Sequence, residues 1–388
     1  MLDTIVDKFR LYEVLAMSSF QSHLSLLEPI FIFASNLGDP QNGYVLYFVF
    51  GFIFVSHSAA FKMLWTAVLS EWLNLILKWT FNDERPYWWA PMAAQHLAAT
   101  NHSHYFQDVT TDYEYARQLN RLRLKQFPIT CETGPGFPSG HVMCSAAVWF
   151  SLIIQLIKHK VIASRRQRLF TRIAFISTLM LVSLGRIYIS AHFPDQCLIG
   201  LFAGIVLAVM VEKLVDIQRL ALGGHILISM LLMAIAYAFH ECLNRFGGQS
   251  GADWSLELAK LYCADINNVK ADTSPLYVVW RASGAAVGIG VAFTQVLPLV
   301  NKNNYLSVAR NKNNFTVRLI NTIVSTVAVV IYVNYSRPEP TFGDQIGRFY
   351  GKSFVQFLFI PIVGLVSVLL NDKIMRFYFN RVHINSNN

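Results

Sequence analysis

Residues 197–215 read CLIGLFAGIVLAVMVEKLV, a run of 19 residues whose only charges are Glu212 and Lys213. An α-helix needs about 20 apolar residues to cross the hydrocarbon core of a bilayer, so this stretch predicts a membrane-spanning helix. The whole chain has the same character: of its 388 residues 54% are hydrophobic and 14% charged, and the mean hydropathy is +0.39. Soluble domains are less apolar and more highly charged. We therefore expect an integral membrane protein.

Eight more segments have a comparable length and apolar content, which predicts an all-α polytopic membrane protein with about nine transmembrane helices. The first and third of the nine are short, and residues 27–34 could extend the first. The chain shows no internal repeat, low-complexity tract or Gly/Ser-rich linker, so residues 1–388 are interpreted as a single membrane domain. The nine predicted spans are residues 41–57, 60–79, 142–157, 173–190, 197–215, 222–240, 275–299, 317–334 and 353–370.

The charges of the connecting loops give an orientation. Residues 158–172 hold six Lys or Arg and no acid, and residues 301–316 hold three Lys or Arg and no acid, whereas residues 241–274 hold five acids. Because basic loops stay in the cytoplasm, nine crossings place the N-terminus on the lumenal or external side and the C-terminus in the cytoplasm. The net charge of +9 then reflects topology, and we expect no nucleic-acid partner.

A first polar cluster lies near the outer end of the second predicted span. Lys78 and Arg85 are seven residues apart, so they share a helical face if the helix continues that far. Pro86 disfavours helical geometry at Arg85, which would then project from the end of the helix into a cavity. Glu71 and Asn74 precede Lys78 on the same stripe and are candidates for a supporting layer behind it. The structural alternative is that the two cations only extend toward the membrane interface.

A second cluster, GPGFPSGH at residues 134–141, comes just before the third predicted span. Its glycines, the Ser139 hydroxyl and the helix N-terminus starting near Gly140 would suit an anion such as phosphate. His141 would lie at the head of that helix and can carry a proton near neutral pH. The alternative is a Gly/Pro turn that enters a membrane helix beside an interfacial histidine.

A third cluster, GRIYISAHFPDQ at residues 185–196, ends the fourth predicted span. Arg186 lies in an apolar helix, where an unpaired charge is costly, so it should face a polar interior, and His192 follows it. The structural alternative is that Arg186 and His192 are a single Arg and a single His at the membrane boundary, without a functional role. However, the second span ends, the third begins and the fourth ends on the same side of the membrane, so all three clusters meet at one face.

Together the clusters supply three cations, two histidines and backbone donors without clustered carboxylates, which suits a phosphate dianion. Phosphoryl transfer needs charge stabilised on the equatorial oxygens, and arginine provides bidentate contacts for them. Two histidines can divide the work: one attacks phosphorus as a neutral imidazole and the other protonates the leaving oxygen. Without a carboxylate cage we expect no metal site and no cofactor.

The same residues carry a family resemblance. Lys78-x6-Arg85-Pro86, Pro138-Ser139-Gly140-His141 and Arg186-x5-His192 resemble, in order and spacing, the signature of the type 2 phosphatidic acid phosphatase superfamily. Within it, RPYWW (85–89), QFPITCETGPGFPSGH (126–141) and RIYISAHFPDQ (186–196) are similar to the glucose-6-phosphatase catalytic subunits, which also have nine helices. The motifs cover about residues 70–200.

The resemblance implies a role for each matched residue. It assigns Lys78, Arg85 and Arg186 to the phosphate, His141 to leaving-group protonation and His192 to a phosphohistidine intermediate. It further implies hydrolysis of glucose 6-phosphate at the lumenal face of the endoplasmic reticulum membrane, with a separate transporter that delivers the substrate. A lipid phosphatase of the same superfamily and a transporter that binds phosphate without cleaving it are the alternatives.

Two positions depart from the superfamily pattern. The serine before the second arginine is replaced by Gly185, and the aspartate four residues after the nucleophile is replaced by Gln196, a replacement shared by glucose-6-phosphatases. Asp195 is one position early. An acidic partner would fix the tautomer of the nucleophilic imidazole, so Gln196, Asp195 and a backbone carbonyl are all candidates for orienting His192.

Features outside the motifs give further expectations. Asn101-His102-Ser103 is a glycosylation sequon in a loop predicted to be lumenal. Cys131, Cys242 and Cys263 all fall on that side, so one disulfide is expected, with its pairing open. Residues that contact the sugar are expected near the lumenal face, where the candidates are Asp39, Trp88 and Trp89.

Overall fold

The computed structural model describes residues 5–42, 44, 47–100, 123–216, 219–246, 254–302, 315–338 and 346–386. In that part of the chain the regular elements are helical, apart from one β-bridge between Glu132 and Lys270. The helices are α1 (Ile5–His23), α2 (Glu28–Leu37), α3 (Pro40–Asn42), α4 (Phe48–Phe54), α5 (His57–Phe81), α6 (Pro86–Thr100), α7 (Gly140–Lys158), α8 (Arg165–Tyr188), α9 (Pro194–Leu214), α10 (Leu222–Phe246), α11 (Trp254–Tyr262), α12 (Pro275–Val291), α13 (Leu297–Lys302), α14 (Phe315–Ser336) and α15 (Ile346–Ser386).

Eight helical stretches of the described chain are long and apolar enough to cross a membrane, carried by α5, α7, α8, α9, α10, α12 with α13, α14 and α15. They coincide with the second to ninth predicted spans, so the prediction of an all-α, multi-pass membrane fold is confirmed. The first predicted span, residues 41–57, is described only as the short helices α3 and α4, because residues 43, 45 and 46 lie outside the described part. Helix α2 ends at Leu37 and is a separate element from that span.

Helix α5 lies at the centre of the bundle. It packs against α4, α7, α9, α10 and α12, and α12 packs along α15. Phe61 and Trp65 of α5 are fully buried in the main core. Large apolar side chains such as Phe202 on α9 and Met230 on α10 are exposed, as expected of surfaces that face lipid.

Helix α2 packs against α8 at a position without a side chain. A Cβ atom at Gly185 would lie 2.6 Å from the carbonyl oxygen of Phe31 and 3.1 Å from the backbone nitrogen of Ser35. The backbones of the two helices are therefore in direct contact at this point. This contact explains why glycine replaces the superfamily's serine at position 185, because a larger residue would push α2 away.

Helix α1 is not one of the eight apolar stretches and packs against α6 and α8. Its apolar residues, Leu11 and Val14 among them, form a buried cluster with Trp88 and Phe193. These two aromatic residues lie close in sequence to Arg85 and His192, so α1 covers the end of the bundle where the predicted clusters are found.

A disulfide joins Cys131 to Cys263 at the same end, with their Cα atoms 5.8 Å apart. Cys242 is exposed and free. The structure thus selects one pairing among the three candidate cysteines. The bond ties the segment before the second cluster to the end of α11.

The course of the chain near Arg85 differs from the prediction. Helix α5 ends at Phe81, and Asn82 takes a left-handed conformation with φ of 49°, which asparagine tolerates better than most residues. The helix therefore does not continue to Arg85, so the condition under which Lys78 and Arg85 would share a helical face is not met. A new helix, α6, starts at Pro86, where the missing N–H and the fixed φ of proline suit a first helical position.

Candidate active site

The buried polar stripe of α5 holds the second cluster in place. Lys78 donates a short hydrogen bond to the carbonyl oxygen of Pro135. Asn74 donates to the carbonyl oxygen of Pro138 at 3.1 Å. Both side chains also line the central cavity of the site, so the stripe supports the loop and faces the cavity together.

Glu71 has a partner that the sequence did not reveal. Arg281 of α12 donates to both of its carboxylate oxygens, at 2.6 and 3.1 Å, and the hydroxyl of Tyr44 donates at 2.8 Å. A buried charge is tolerated when it is paired and hydrogen-bonded in this way. Glu71 therefore fixes α12 against α5 and keeps Arg281 at the cavity wall.

Arg85 is 1% exposed and held from several directions. Its Nε donates to the carbonyl oxygen of Gly134 at 2.6 Å, and its Nη1 donates to that of Ala191 at 3.0 Å. Nη1 also lies 3.3 Å from Nε2 of His192. The guanidinium group thus connects the second cluster to the third with little freedom to move.

The GPGFPSGH loop uses some of its backbone donors for its own structure. The N–H of Gly136 donates to Asp83 at 2.8 Å, and that of Ser139 donates to Gln196 at 3.0 Å. The side chain of Ser139 is fully buried and does not line the cavity, whereas Gly140 and His141 do. The first turn of α7 is thus the part of the loop that faces an anion, with the favourable end of the helix dipole.

His192 is fully buried between α8 and α9. Its Nδ1 lies 2.8 Å from the carbonyl oxygen of Gly136 and 3.2 Å from Oε1 of Gln196. Because a carbonyl oxygen can only accept, Nδ1 carries the proton and Nε2 keeps its lone pair. Burial and the Arg85 guanidinium lower the pKa of His192 to about 3, so the imidazole is neutral at physiological pH.

Asp195 does not orient His192 directly. Its carboxylate instead accepts hydrogen bonds from Arg10 of α1, at 2.7 and 3.1 Å. Of the three candidates, the carbonyl oxygen of Gly136 and the side chain of Gln196 are the groups that contact His192.

Arg186 reaches inward from the last turn of α8 and is 1% exposed. Its Nη1 donates to the hydroxyl of Ser35 at 2.9 Å, and its Nη2 makes a short ion pair with Glu132. The close approach of α2 at Gly185 brings Ser35 to this position. Because Gly185 has no side chain, α2 comes close enough to α8 for Ser35 to hydrogen-bond Arg186.

Glu132 is the main residue that the sequence reasoning missed. Its carboxylate lies 2.8 Å from Nη1 of Arg85, pairs with Arg186, and lies 3.5 Å from Nδ1 of His141 and 3.6 Å from Nε2 of His192. Burial alone would raise the pKa of Glu132, but Arg186 and Arg85 hold it well below its usual range. The sequence offered one signal for this role: Glu132 is a single acid just before the Gly-rich loop, between two motifs that carry cations.

These groups surround a cavity of about 290 Å³. Its lining includes Lys78, Arg85, His141 and Arg186. Further polar side chains in the wall are those of Asn36, Asp39, Gln41, Asp272 and Arg337. Trp88 and Trp89, two of the three sugar-contact candidates, are buried in the cluster under α1 instead and do not line the cavity.

The arrangement suits transfer of a phosphoryl group. It brings guanidinium donors beside a neutral imidazole whose unprotonated nitrogen faces them, and it places a second histidine on the other side of the same carboxylate. Within the described residues, no group of three or more His, Cys, Asp and Glu side chains has the geometry of a metal site. Asn101 lies outside the described part of the chain.

Comparison with known proteins agrees with this description. The model of the PAP2 superfamily matches residues 59–220, so the fold and the site define a membrane phosphatase of that superfamily. Glucose-6-phosphatase 2 of Homo sapiens is 31% identical over 340 residues, 85% of this chain and 86% of the relative. The chain therefore belongs to the glucose-6-phosphatase family.

Other relatives show the same extent of similarity. Glucose-6-phosphatase catalytic subunit 1 of Canis lupus familiaris is 29% identical over 343 residues, 86% of this chain and 87% of the relative. Glucose-6-phosphatase 3 of Bos taurus is 28% identical over 352 residues, 90% of this chain and 91% of the relative. No solved structure matches the chain significantly.

Proposed function

We propose that this protein hydrolyses glucose 6-phosphate to glucose and phosphate at the lumenal face of the endoplasmic reticulum membrane, through a phosphohistidine intermediate. The observation that carries the proposal is the protonation state of His192 and the position of its unprotonated nitrogen. Its Nδ1 is bonded to Gly136, and its unprotonated Nε2 lies beside Arg85 at 3.3 Å and beside the Glu132 carboxylate, which is paired with Arg85 and Arg186. A phosphate bound to those two arginines would present its phosphorus to Nε2.

The reaction has two steps. Nε2 of His192 attacks phosphorus, the N–P bond forms as the bond to the sugar oxygen breaks, and protonated His141 gives that oxygen its proton. Water then attacks the phosphohistidine, neutral His141 accepts the water proton, and the N–P bond breaks to release inorganic phosphate. Arg85, Arg186 and Lys78 stabilise charge on the equatorial oxygens in both steps.

The shape and polarity of the cavity support a hexose phosphate. In addition to the cations, Asn36, Asp39 and Gln41 in the wall offer hydrogen-bond partners for sugar hydroxyl groups. The names of the relatives, which are glucose-6-phosphatases, support the same substrate.

Several features support the lumenal location. The Cys131–Cys263 disulfide lies at the end of the bundle that holds the site, and disulfides form in oxidising compartments such as this lumen. The Asn101 sequon lies in the loop before the second cluster. Substrate would then reach the site through a separate glucose 6-phosphate transporter in the same membrane. Loss of the glycan in an Asn101→Gln variant tests the side of this loop.

The decisive test is a phosphatase assay on the purified full-length protein, with sugar phosphates and phosphatidate and with a metal chelator present. We expect release of phosphate from glucose 6-phosphate that survives chelation. A His192→Ala variant should form no acid-labile phosphoenzyme and show no turnover. Hydrolysis of phosphatidate alone would show a lipid phosphatase, and undiminished hydrolysis by His192→Ala would exclude this nucleophile.

A further inference from the structure

Helix α1 carries a buried arginine with several acidic partners. Arg10 is 5% exposed, and its guanidinium group lies 4.1 Å from the ring centre of Phe193. It donates to Glu13 at 2.8 Å, to Asp195 at 2.7 and 3.1 Å, and to Asp83 at 2.7 Å. Asp83 and Asp195 lie 73 and 185 residues away in the chain, so Arg10 joins the loop before Arg85 to the first turn of α9, just after His192.

One of these partners continues toward the nucleophile. Oδ2 of Asp83, which accepts from Arg10, also accepts from Nε2 of Gln196 at 2.9 Å. The same Nε2 donates to the carbonyl oxygen of Glu84 at 2.7 Å. The amide nitrogen of Gln196 is therefore directed at two acceptors on the loop before Arg85.

The other end of that amide then has a fixed direction. Oε1 of Gln196 accepts from the backbone N–H of Phe193 at 3.1 Å and faces Nδ1 of His192 at 3.2 Å. If the amide were reversed, its NH₂ group would face the N–H of Phe193 and the protonated Nδ1, which places donors against donors. Asp83 thus selects the amide orientation that favours a proton on Nδ1 and a lone pair on Nε2.

We propose that Arg10 is a positioning residue for the nucleophile: by holding Asp83 in place, it fixes the amide of Gln196 and through it the ring orientation and tautomer of His192. Helix α1 is then part of the catalytic apparatus. This inference rests on the proposed phosphatase mechanism and adds to it a residue that touches neither substrate nor phosphate.

The geometry distinguishes this role from simple packing of α1. The cations that bind phosphate, Lys78, Arg85 and Arg186, have partners of their own and do not contact Arg10. Loss of Arg10 should therefore slow attack on phosphorus while leaving phosphate affinity nearly unchanged. In metal sites, removing a group that orients a ligand costs about 10- to 100-fold in affinity or activity, and we expect a loss of similar size here.

The test uses purified full-length Arg10→Gln, with Lys8→Gln as matched control because Lys8 is exposed on the same helix. We expect Arg10→Gln to lower the single-turnover rate of phosphoenzyme formation about 10- to 100-fold, with KM and inhibition by inorganic phosphate changed less than about threefold. Lys8→Gln should behave like the wild type. An unchanged rate in Arg10→Gln, or a loss of phosphate affinity equal to the loss of rate, would overturn the proposal.

A double-mutant cycle tests the path. If Arg10 acts through Gln196, then Arg10→Gln combined with Gln196→Ala should be no slower than the slower single variant. If Arg10 had a purely structural role, the losses of rate caused by the two substitutions would multiply. The loss of rate would then also parallel the loss of thermal stability. Should Arg10→Gln fail to fold, Asp83→Asn interrupts the same path from the other end and should show the same selective loss of rate.

The binding of inorganic anions, which does not require the substrate, tests the proposed substrate and the proposed role of Arg10 separately. Orthovanadate mimics five-coordinate phosphorus and needs a correctly directed Nε2, whereas sulfate stays tetrahedral and needs only the cationic site. Arg10→Gln should bind vanadate at least about tenfold more weakly and sulfate as well as the wild type does. Wild-type protein that binds both anions but does not cleave glucose 6-phosphate would refute the substrate, and equal vanadate binding by both proteins would refute the role of Arg10.

Discussion

Oε2 of Glu132 lies 3.6 Å from Nε2 of His192, the nitrogen that we propose attacks phosphorus. The same carboxylate pairs with Arg85 and Arg186. In the proposed mechanism a phosphate dianion binds those guanidinium groups and takes the space in front of Nε2. We therefore expect Glu132 and the substrate phosphate to compete for the same donors, and the carboxylate to move when phosphate binds.

Replacing Glu132 by glutamine should strengthen the binding of inorganic phosphate. The variant keeps the size of the side chain but removes the negative charge that competes for Arg85 and Arg186. One charge at this distance in a buried site shifts affinity by about tenfold or more. Isothermal titration with inorganic phosphate measures the change, and unchanged or weaker binding would show that Glu132 and phosphate do not compete.

The same variant should be less stable without added phosphate, because two buried arginines lose their counter-charge. Phosphate should then raise its melting temperature more than that of the wild type. Glu257→Gln is the control, since Glu257 is an exposed carboxylate on α11 that pairs only at the surface with Lys260, and its phosphate affinity should not change.

Replacing His141 by alanine should affect substrates according to their leaving group. The proton donation that we propose for His141 matters for a sugar alkoxide and much less for p-nitrophenolate, which leaves without protonation. We expect turnover of glucose 6-phosphate to fall about 100- to 10,000-fold and that of p-nitrophenyl phosphate to fall much less. His192→Ala should abolish both activities. An equal loss with both substrates would contradict the assignment of His141 as the acid.

The helices and the meeting of the three clusters were predictable because each depends on a local or counting rule. A span is set by about 20 apolar residues, and consecutive crossings bring the ends of α5, α7 and α8 near Lys78, His141 and His192 to one side. The turn at Asn82 was not predictable in this way. A left-handed residue ends α5 early, and the local sequence is equally compatible with a longer helix.

The partners of the site residues were less accessible to sequence reasoning. Arg10 lies on a helix too polar to cross a membrane, and its partners Asp83 and Asp195 are distant in the chain. Glu132 lies in an irregular segment without periodicity, so no pattern indicates where its carboxylate points. Such contacts depend on tertiary packing, which composition and spacing do not specify.

The pH dependence of stability should carry a contribution from His192. Its pKa in the folded protein is about 3, because of burial and Arg85, against about 6.5 in an unfolded chain. Between these values the unfolded state binds a proton that the folded state does not, so the contribution is complete above about pH 6.5 and is lost as the pH falls toward 3. At pH 5 the loss amounts to about 2 kcal/mol.

Melting temperatures from pH 7.5 to 5 check this expectation. The wild type should lose stability over that interval, and a His192→Asn variant should lose clearly less, since it has no imidazole to protonate on unfolding. Parallel curves for the two proteins would mean that the imidazole is not held neutral by its surroundings.

The contact between α2 and α8 gives a prediction that joins packing to activity. In Gly185→Ala the new Cβ would lie 2.6 Å from the carbonyl oxygen of Phe31, and since that neighbour is backbone, α2 must shift. Overpacking of this kind costs about 1–3 kcal/mol. The shift would also move Ser35, whose hydroxyl accepts from Nη1 of Arg186 at 2.9 Å, so KM should rise several-fold along with the loss of thermal stability.

Gly223→Ala is the matched control for that substitution. Gly223 also lies in an apolar helix, α10, but a Cβ there would have no atom within 4 Å. Alanine is the better helix former by about 1 kcal/mol in a helix interior, and Gly223 lies in the first turn of α10, so this variant should be about as stable as the wild type, with unchanged KM. If both alanine variants behave alike, the close approach at Gly185 does not position Arg186.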